Sequence, residues 1–165
     1  IIILPDFFNR ICSYLDAQKV AYRSLHHEPT LTSEDAARVR GEDIRIGGKA
    51  LLLKVRGDFR LFVLSAALRI DSQAVRNYFK TRKTRFASTE ELQNLTGLVP
   101  GSVPPFGEPI LPFELYVDPS ISENDRIAFN AGSLTDSLFL RVEDYLRISG
   151  PTVFRFTITT DQRKL

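Results

Sequence analysis

The chain has 165 residues and a mass of 18.7 kDa, the size of one ordinary domain. Apolar residues make up 43% and charged residues 25%, which is typical of a globular protein and excludes global disorder. Apolar runs are far shorter than a membrane-spanning helix, and a net charge of +2 excludes a uniformly basic surface, so we expect a soluble cytoplasmic protein.

Hydrophobic periodicity predicts two helices and a strand at the start of the chain. Phe7, Ile11 and Leu15 recur at helical spacing, so the first helix has one buried face. Cys12 lies on that face. Because it is the single cysteine, an intrachain disulfide and a zinc site built from cysteines are excluded. The predicted elements are a helix over about 5–19, a strand at 20–25, and a helix from Thr32 or Ser33 to Gly41.

The middle of the chain has the pattern of a β-hairpin followed by a helix. Two apolar runs of strand length, 50–55 and 59–65, flank an Arg-Gly-Asp turn sequence. Asp71 or Ser72 is a helix cap, and the apolar spacing that follows predicts a helix through Phe79.

A capping box predicts the next helix. Ser88 and Glu91 have the spacing at which each side chain bonds to the backbone of the other. We expect Leu92 and Leu95 on the buried face of this helix, and Gly97 at its end.

The remainder begins with a loop and continues with short strands. Residues 98–112 contain too many prolines and glycines for a helix or a central strand, and a loop this long is commonly functional. The later elements are strands at 113–117, 126–130 and 137–141, turns at Asp118-Pro119 and Gly132-Ser133, a helix at 142–148, and an alternating tail from Pro151. The pattern predicts an α/β (α+β) domain with a mixed, largely antiparallel sheet flanked by helices.

Familiar catalytic motifs are missing from the sequence. There is no G-x-S-x-G, Walker A, G-x-G-x-x-G or H-E-x-x-H motif, which disfavours hydride transfer, nucleotide hydrolysis and zinc proteolysis. His26, His27 and Glu28 could begin a metal site, but neighbours on an extended chain point to opposite sides and no third histidine exists. We therefore expect no metal. Cys12 could be a nucleophile, but its place on the buried stripe favours a core role.

Three segments could approach a ligand. Lys49 follows two glycines at the entrance of a strand, where its ammonium could meet a phosphate or a polarised carbonyl, or simply be exposed. Lys54 lies five residues on and faces the other way. Gly101 to Pro105 is a G-x-x-x-P loop whose backbone N–H groups could hold a ligand oxygen, although rigid loops also merely connect elements. Asn130 to Ser133 is a second approach point or a plain tight turn.

Positive charge is concentrated in residues 72–89, which contain no acidic residue, so the rest of the chain is mildly acidic. Tyr78, Phe79 and Phe86 are interleaved with the cations, as in surfaces that bind phosphate backbones and stack bases. The alternative is a solvated surface whose aromatic residues face the core. The cations are Arg76, Lys80, Arg82, Lys83 and Arg85.

The order and spacing of three motifs resemble a known family. The motifs are Gly48 to Lys54, Leu95 to Gly107 with the G-x-x-x-P loop, and Tyr116 to Ser120 followed by Asn130 to Ser133. Together they resemble the YbaK and prolyl-tRNA-synthetase-associated domain family of aminoacyl-tRNA deacylases, over about residues 5–148. The resemblance implies a barrel-like, YbaK-like editing domain at 1–150, similar to the editing insertion of bacterial prolyl-tRNA synthetase. Residues 151–165 would be a tail or an edge strand.

The resemblance also implies an activity. A free-standing member of this family hydrolyses the ester of mischarged tRNA without a metal or an organic cofactor, and alanine, serine, threonine and cysteine are known substrates. A non-catalytic module that binds tRNA or a synthetase, or a small-molecule hydrolase, are the alternatives. The amino acid, a synthetase partner and the oligomeric state stay open.

Site residues follow from the matched motifs. The resemblance implies catalytic roles for Lys49, Gly101 and Ser102, with Lys49 on the terminal adenosine or acyl group and the two amides on the carbonyl oxygen. Substrate contacts are implied for Pro105, Asn130, Gly132 and Ser133, and tRNA contacts for the five cations of residues 72–89.

Overall fold

The elements seen in the computed structural model, which describes residues 6–159, follow the predicted order. Pro5 of the predicted first helix and residues 160–165 of the predicted tail lie outside the described range. The helices are α1 (Phe7–Ala17), α2 (Ser33–Arg40), α3 (Ser72–Phe79), α4 (Thr89–Thr96), α5 (Pro119–Ser122) and α6 (Val142–Ser149), with a 3₁₀ turn at Ile44–Ile46. The strands are β1 (Tyr22–His26), β2 (Gly48–Val55), β3 (Asp58–Ser65), β4 (Arg69–Ile70), β5 (Thr84–Phe86), β6 (Glu114–Val117), β7 (Arg126–Asn130), β8 (Asp136–Arg141), β9 (Thr152–Val153) and β10 (Thr157–Ile158).

The described strands form sheets of five, three and two strands. The largest has the order β5-β2-β3-β6-β9 and is antiparallel from β5 to β3 and parallel from β3 to β9. The order β1-β8-β7 is antiparallel throughout, and β4 pairs with β10. A parallel bridge from Gly47 to Ala128 joins the two larger sheets, and neither closes into a barrel within residues 6–159. A mixed, largely antiparallel sheet is therefore confirmed.

The central hairpin forms as predicted. Arg56 and Gly57 have φ angles of 54° and 92°, the pair of positive values that matches the twist of two hairpin strands. The sequence does not predict the short strand β5, because its three residues show too little alternation of apolar and polar side chains. It forms because residues 53–55 of β2 offer it an unpaired edge.

The buried faces of two helices show one confirmation and one correction. Phe7, Ile11 and Leu15 of α1 are buried in the main core, as expected. In α4 the expectation for Leu95 is wrong, because this side chain is 45% exposed. Thr96 takes the buried position one helical turn after Leu92, where its hydroxyl donates to the Leu92 carbonyl.

Asp118-Pro119 is the start of a short helix rather than a plain turn. Asp118 caps α5 by accepting a hydrogen bond from the Ser120 amide at 2.9 Å, and Pro119 occupies the first helical position, where its missing N–H is not needed. The other carboxylate oxygen of Asp118 accepts from the Phe156 amide at 2.7 Å. The described part of the predicted tail is thereby fastened to the fold, with Phe156 fully buried. Within residues 6–159, no helix has the length and apolarity to cross a bilayer.

Candidate functional site

A pocket of about 180 Å³ lies between α2, the start of β2 and the loop that follows α4. Three of the predicted site residues line it, namely Lys49, Gly101 and Asn130. The pocket therefore unites the first catalytic candidate with the G-x-x-x-P loop and with the end of β7, three segments that are distant in sequence. Further wall residues are Thr30, Thr32, Ala36, Arg40, Ala66 and Val103.

Two glycines place Lys49 at the pocket. A Cβ on Gly48 would lie 2.6 Å from the Cδ1 of Ile127, and a Cβ on Gly47 would lie 2.9 Å from the Cβ of Ala66. Neither position leaves room for a side chain, so only glycines allow the start of β2 to pack this closely between β3 and β7. The next residue, Lys49, then opens into the pocket.

Lys49 is half-buried at the start of β2. Its ammonium forms no hydrogen bond or ion pair with any residue from 6 to 159. Burial is the main cause that lowers its pKa, and the charge of Arg69 adds to this effect, while Glu34 acts in the opposite direction. Lys54 lies on the other side of β2, with its ammonium 5.5 Å from the ring centre of Phe59. Strand alternation thus gives the two lysines different environments, as expected.

Asn130 connects three walls of the pocket through its side-chain amide. Its Nδ2 donates to the Gly101 carbonyl at 2.9 Å and to the Thr30 hydroxyl at 3.2 Å. Its Oδ1 accepts from Nη2 of Arg40 at 3.0 Å. Gly101 has a φ angle of +88°, which a side chain would strain, so the loop needs glycine where Asn130 holds it.

Arg40 is a candidate functional residue at the pocket that the sequence did not indicate. A cation in the last turn of a helix, just before Gly41, is the ordinary partner of the helix dipole and gives no signal of its own. In the structure Arg40 lines the pocket, and its Nε donates to the Ser137 hydroxyl at 2.9 Å. Burial lowers its pKa to about 10, and no carboxylate among the described residues forms an ion pair with it.

Two loop residues predicted at the site do not line the pocket. The Ser102 amide donates to the Val99 carbonyl at 3.1 Å, and the Ser102 hydroxyl donates to the same oxygen at 2.7 Å. The amide that was predicted to hold a substrate carbonyl is therefore engaged inside a turn, and this position does not support that role. The Pro105 carbonyl accepts from the Tyr145 hydroxyl at 2.6 Å, which fastens the loop to α6, and Pro105 is buried. Its predicted substrate contact is not supported by this position.

Gly132 and Ser133 also lie away from the pocket. Gly132 has a φ angle of +77°, and a Cβ there would lie 2.3 Å from the Cβ of Phe7, so this glycine lets the β7–β8 turn pack on α1. The Ser133 hydroxyl donates to the Asp136 carboxylate at 3.0 Å within that turn. The predicted substrate contacts of both residues are not supported by these positions, and the tight-turn alternative describes them.

Comparisons with known proteins identify the family. The sequence model of the aminoacyl-tRNA editing domain matches residues 27–148. The chain belongs to this editing-domain family. It is 35% identical over 156 residues to the multifunctional Ser/Thr-tRNA deacylase ProXp-y of Escherichia coli, covering 91% of this chain and 92% of that protein. The predicted family resemblance is confirmed.

A second relative is named as an editing protein, and a solved structure shares the fold. The chain is 25% identical over 148 residues to the prolyl-tRNA editing protein ProX of Acetoanaerobium sticklandii, covering 87% of this chain and 90% of that protein. A crystal structure described as a candidate trans-editing enzyme for prolyl tRNA synthetase has the same fold, with a TM-score of 0.79 and 22% identity. That match covers 94% of this chain and 99% of the other.

The basic stretch of this editing domain is only partly free to bind a ligand. Arg85 is engaged with Glu91 through two hydrogen bonds of 2.7 and 2.9 Å, and this pairing lowers the pKa of Glu91 to about 2. Phe79 packs against a second hydrophobic cluster, which includes Phe62 and Phe156, whereas Tyr78 and Phe86 are exposed. The cations of this stretch that have no carboxylate partner in the described range are Arg76, Lys80, Arg82 and Lys83.

The basic stretch, residues 72–89, forms a basic surface near the end of β2, whereas the pocket lies at the beginning of β2. β5 pairs with residues 53–55, whereas Lys49 is at the beginning of β2. At about 3.3 Å per residue, the two ends are roughly 20 Å apart along the strand. The structure therefore does not bring the predicted tRNA contacts into the pocket, and any ligand that reaches both must be extended.

The histidines have local partners. His26 Nδ1 is 2.8 Å from a carboxylate oxygen of Asp136, and His27 Nε2 is 2.7 Å from the Ser137 hydroxyl. Between residues 6 and 159, no group of three or more His, Cys, Asp or Glu side chains is arranged to hold a metal ion. Cys12 is partly buried against the main core, and burial raises the pKa of its thiol.

Proposed function

We propose that this editing domain hydrolyses the ester of mischarged aminoacyl-tRNA, and that the pocket between α2 and β2 holds the aminoacyl end. Membership of the editing-domain family and 35% identity to a Ser/Thr-tRNA deacylase support the reaction. The observation that carries the site is the convergence of Lys49, Gly101 and Asn130 on one pocket. A module that only docks onto tRNA would have no need of this arrangement.

The reaction does not require a protein nucleophile. An aminoacyl ester is already activated, and the neighbouring ribose hydroxyl can orient the attacking water. Positioning of the ester and stabilisation of the negative charge that develops on the carbonyl oxygen can then supply the rate.

Lys49 and Gly101 take the two main roles in this proposal. The unpaired ammonium of Lys49 anchors the terminal adenosine or the acyl group from the β2 side of the pocket. The Gly101 amide donates no hydrogen bond to the described residues, so it is left for the carbonyl oxygen, whereas the Ser102 amide is occupied. Asn130 fixes the Gly101 carbonyl and thereby the direction of the neighbouring peptide group.

A small amino acid suits a pocket of about 180 Å³. Since the relative from Escherichia coli is named for serine and threonine, seryl- and threonyl-tRNA are the first substrates to try, followed by alanyl- and cysteinyl-tRNA. The basic surface beyond β5 would contact the acceptor stem while the single-stranded end reaches back to the pocket.

The decisive experiment incubates the protein with tRNAs that carry each of these amino acids and measures ester loss against a buffer control. We expect rapid loss for one or more mischarged tRNAs and none for a correctly charged tRNA. Binding of tRNA without ester loss would favour the non-catalytic module. Equal hydrolysis of simple aminoacyl esters and of aminoacyl-tRNA would favour the small-molecule hydrolase.

A further inference from the structure

Two cations from different elements line one pocket, and neither forms an ion pair with residues 6–159. Lys49 comes from β2 and Arg40 from the last turn of α2. The acceptors of Arg40 are both neutral, the hydroxyl of Ser137 and the amide oxygen of Asn130. Half-burying two positive charges is unfavourable unless a ligand compensates them, and this cost is visible in the lowered pKa of each group.

The nearby acidic residues form no ion pair with these two cations. Glu34, which lies outside the pocket wall, offsets only part of the effects that lower the pKa of Lys49. Glu42 pairs with Arg126 at 3.0 Å and with Arg23 at 3.5 Å, both outside the pocket wall. Asp43 pairs with Arg45 at 3.1 Å. The pocket thus keeps an excess of positive charge that suits an anionic group.

Arg40 is held rigidly with donors to spare. His27 Nδ1 faces the carbonyl oxygen of Glu28 at 2.8 Å, so it carries the proton in the neutral ring, and Nε2 accepts from the Ser137 hydroxyl. The Ser137 oxygen, which also lies 3.3 Å from Oδ1 of Asn130, accepts from Nε of Arg40. Rigid orientation of a guanidinium reduces the entropy lost when it binds a planar or tetrahedral anion.

One terminal nitrogen of Arg40, Nη1, has no hydrogen-bond partner within residues 6–159. If Nη1 were buried, it would be a buried nitrogen without a hydrogen-bond partner. In the described range the single buried side-chain nitrogen or oxygen of that kind is Nε of Arg60. Nη1 is therefore accessible to solvent, and since Arg40 lines the pocket we infer that a ligand in the pocket can reach this nitrogen.

We propose that Arg40 binds a non-bridging oxygen of the phosphodiester that joins the last two nucleotides of the tRNA. This inference rests on the proposed function, because in an aminoacyl-tRNA that phosphodiester is the anion next to the ester. A guanidinium forms strong, directional hydrogen bonds to phosphate oxygens, whereas the neutral ester carbonyl is served by the Gly101 amide. Arg40 is then a substrate-binding residue that supplements Lys49.

The test uses short RNAs ending in CCA that carry no amino acid, so it does not depend on hydrolysis. One RNA has the normal last phosphodiester, and the other has an uncharged methylphosphonate at that linkage. We expect the wild-type protein to bind the normal RNA about ten- to a hundredfold more tightly, the range for a hydrogen bond to a charged group. Arg40→Gln should abolish this preference, and Arg40→Lys should retain part of it.

Arg38→Gln is the matched control, since Arg38 lies on the same helix but is exposed and pairs with Glu28. The preference is a ratio measured within one protein, so a partly unfolded variant does not change it. Equal binding of both RNAs by the wild type, or an unchanged preference in Arg40→Gln, would overturn the inference. A preference that depends on Arg40, together with no deacylation of any mischarged tRNA, would instead reject the proposed function alone.

Discussion

The side-chain amide of Asn130 donates to the carbonyl oxygen of Gly101 across 2.9 Å, which ties the end of β7 to a loop 29 residues earlier in the chain. The same Asn130 side chain contacts Arg40 of α2. One side chain therefore sets the relative position of the sheet, the G-x-x-x-P loop and the helix that enclose the pocket. Loss of this contact should affect the pocket more than the fold.

Replacement of Asn130 by alanine should lower deacylation. The Gly101 loop would lose its anchor, and we expect kcat/KM to fall about tenfold or more, since a misplaced donor costs much of its transition-state stabilisation. Initial rates on a mischarged tRNA give the measurement. Asn124→Ala is the control, because Asn124 also donates to two carbonyls, those of Arg45 and Ser120, and lies outside the pocket. Similar losses in both variants would show that only general stability matters.

Lys49→Ala should abolish most deacylation, whereas Lys54→Ala should not. Both residues lie on β2, but only Lys49 lines the pocket, and Lys54 lies against Phe59. We expect a loss of about a hundredfold for Lys49→Ala, in the range found when one charge-stabilising donor is removed. The comparison of single-turnover rates decides the point. A Lys49→Ala protein that deacylates every mischarged tRNA at the wild-type rate contradicts the role of Lys49.

The pH dependence of deacylation should report the charge of Lys49. Burial lowers the pKa of this lysine, so the ammonium loses its proton at a lower pH than an exposed lysine does. The deacylation rate of the Lys49→Ala protein is subtracted from that of the wild type at each pH. The remaining rate should decline as the pH rises toward the pKa of Lys49. Lys49→Arg, if active, should keep its activity to higher pH, because arginine stays protonated. Identical alkaline limbs for the two proteins would exclude Lys49 as the titrating group.

Charge reversal in the basic stretch should weaken tRNA binding without destabilising the fold. Arg82 and Lys83 are exposed and have no ion pair with the described residues, so Arg82→Glu with Lys83→Glu should leave the melting temperature nearly unchanged. Two lost phosphate contacts should reduce the slope of log K against log salt by about two. Filter binding at several salt concentrations measures this slope. Arg141→Glu, on the exposed end of β8, is the control, and an unaltered tRNA affinity in the double variant would refute the contact.

Asp118→Asn should destabilise the fold through the segment after α6. The Asp118 carboxylate is fully buried and accepts from Ser120, Phe156 and Thr157, and an amide can present only one oxygen to these donors. We expect a loss of about 2–3 kcal/mol in the free energy of unfolding by urea, with faster hydrogen exchange at the Phe156 amide. Thr157→Val removes one of the three contacts and should cost about 1 kcal/mol. Equal effects of the two substitutions would mean that the carboxylate does not fasten the segment.

Elements with local signals could be predicted from the amino-acid sequence. Apolar spacing predicted α1, the capping box of Ser88 and Glu91 predicted α4, and two apolar runs around a turn predicted the hairpin of β2 and β3. The order and spacing of the motifs also indicated the editing-domain family, which the match over residues 27–148 confirms. These features depend on residues a few positions apart, or on type and order alone, which the chain displays directly.

Long-range packing determines which of the matched residues meet. Asn130 and Gly101 join Lys49 at the pocket, whereas Ser102, Gly132 and Ser133 serve turns, because the pairing of distant strands fixes where each loop points. Arg40 carried no local signal, since a cation that ends a helix is ordinary; its burial without a carboxylate exists only once α2 packs on β7 and β8. Tertiary contacts create such an environment, and no periodicity or spacing along the chain encodes it.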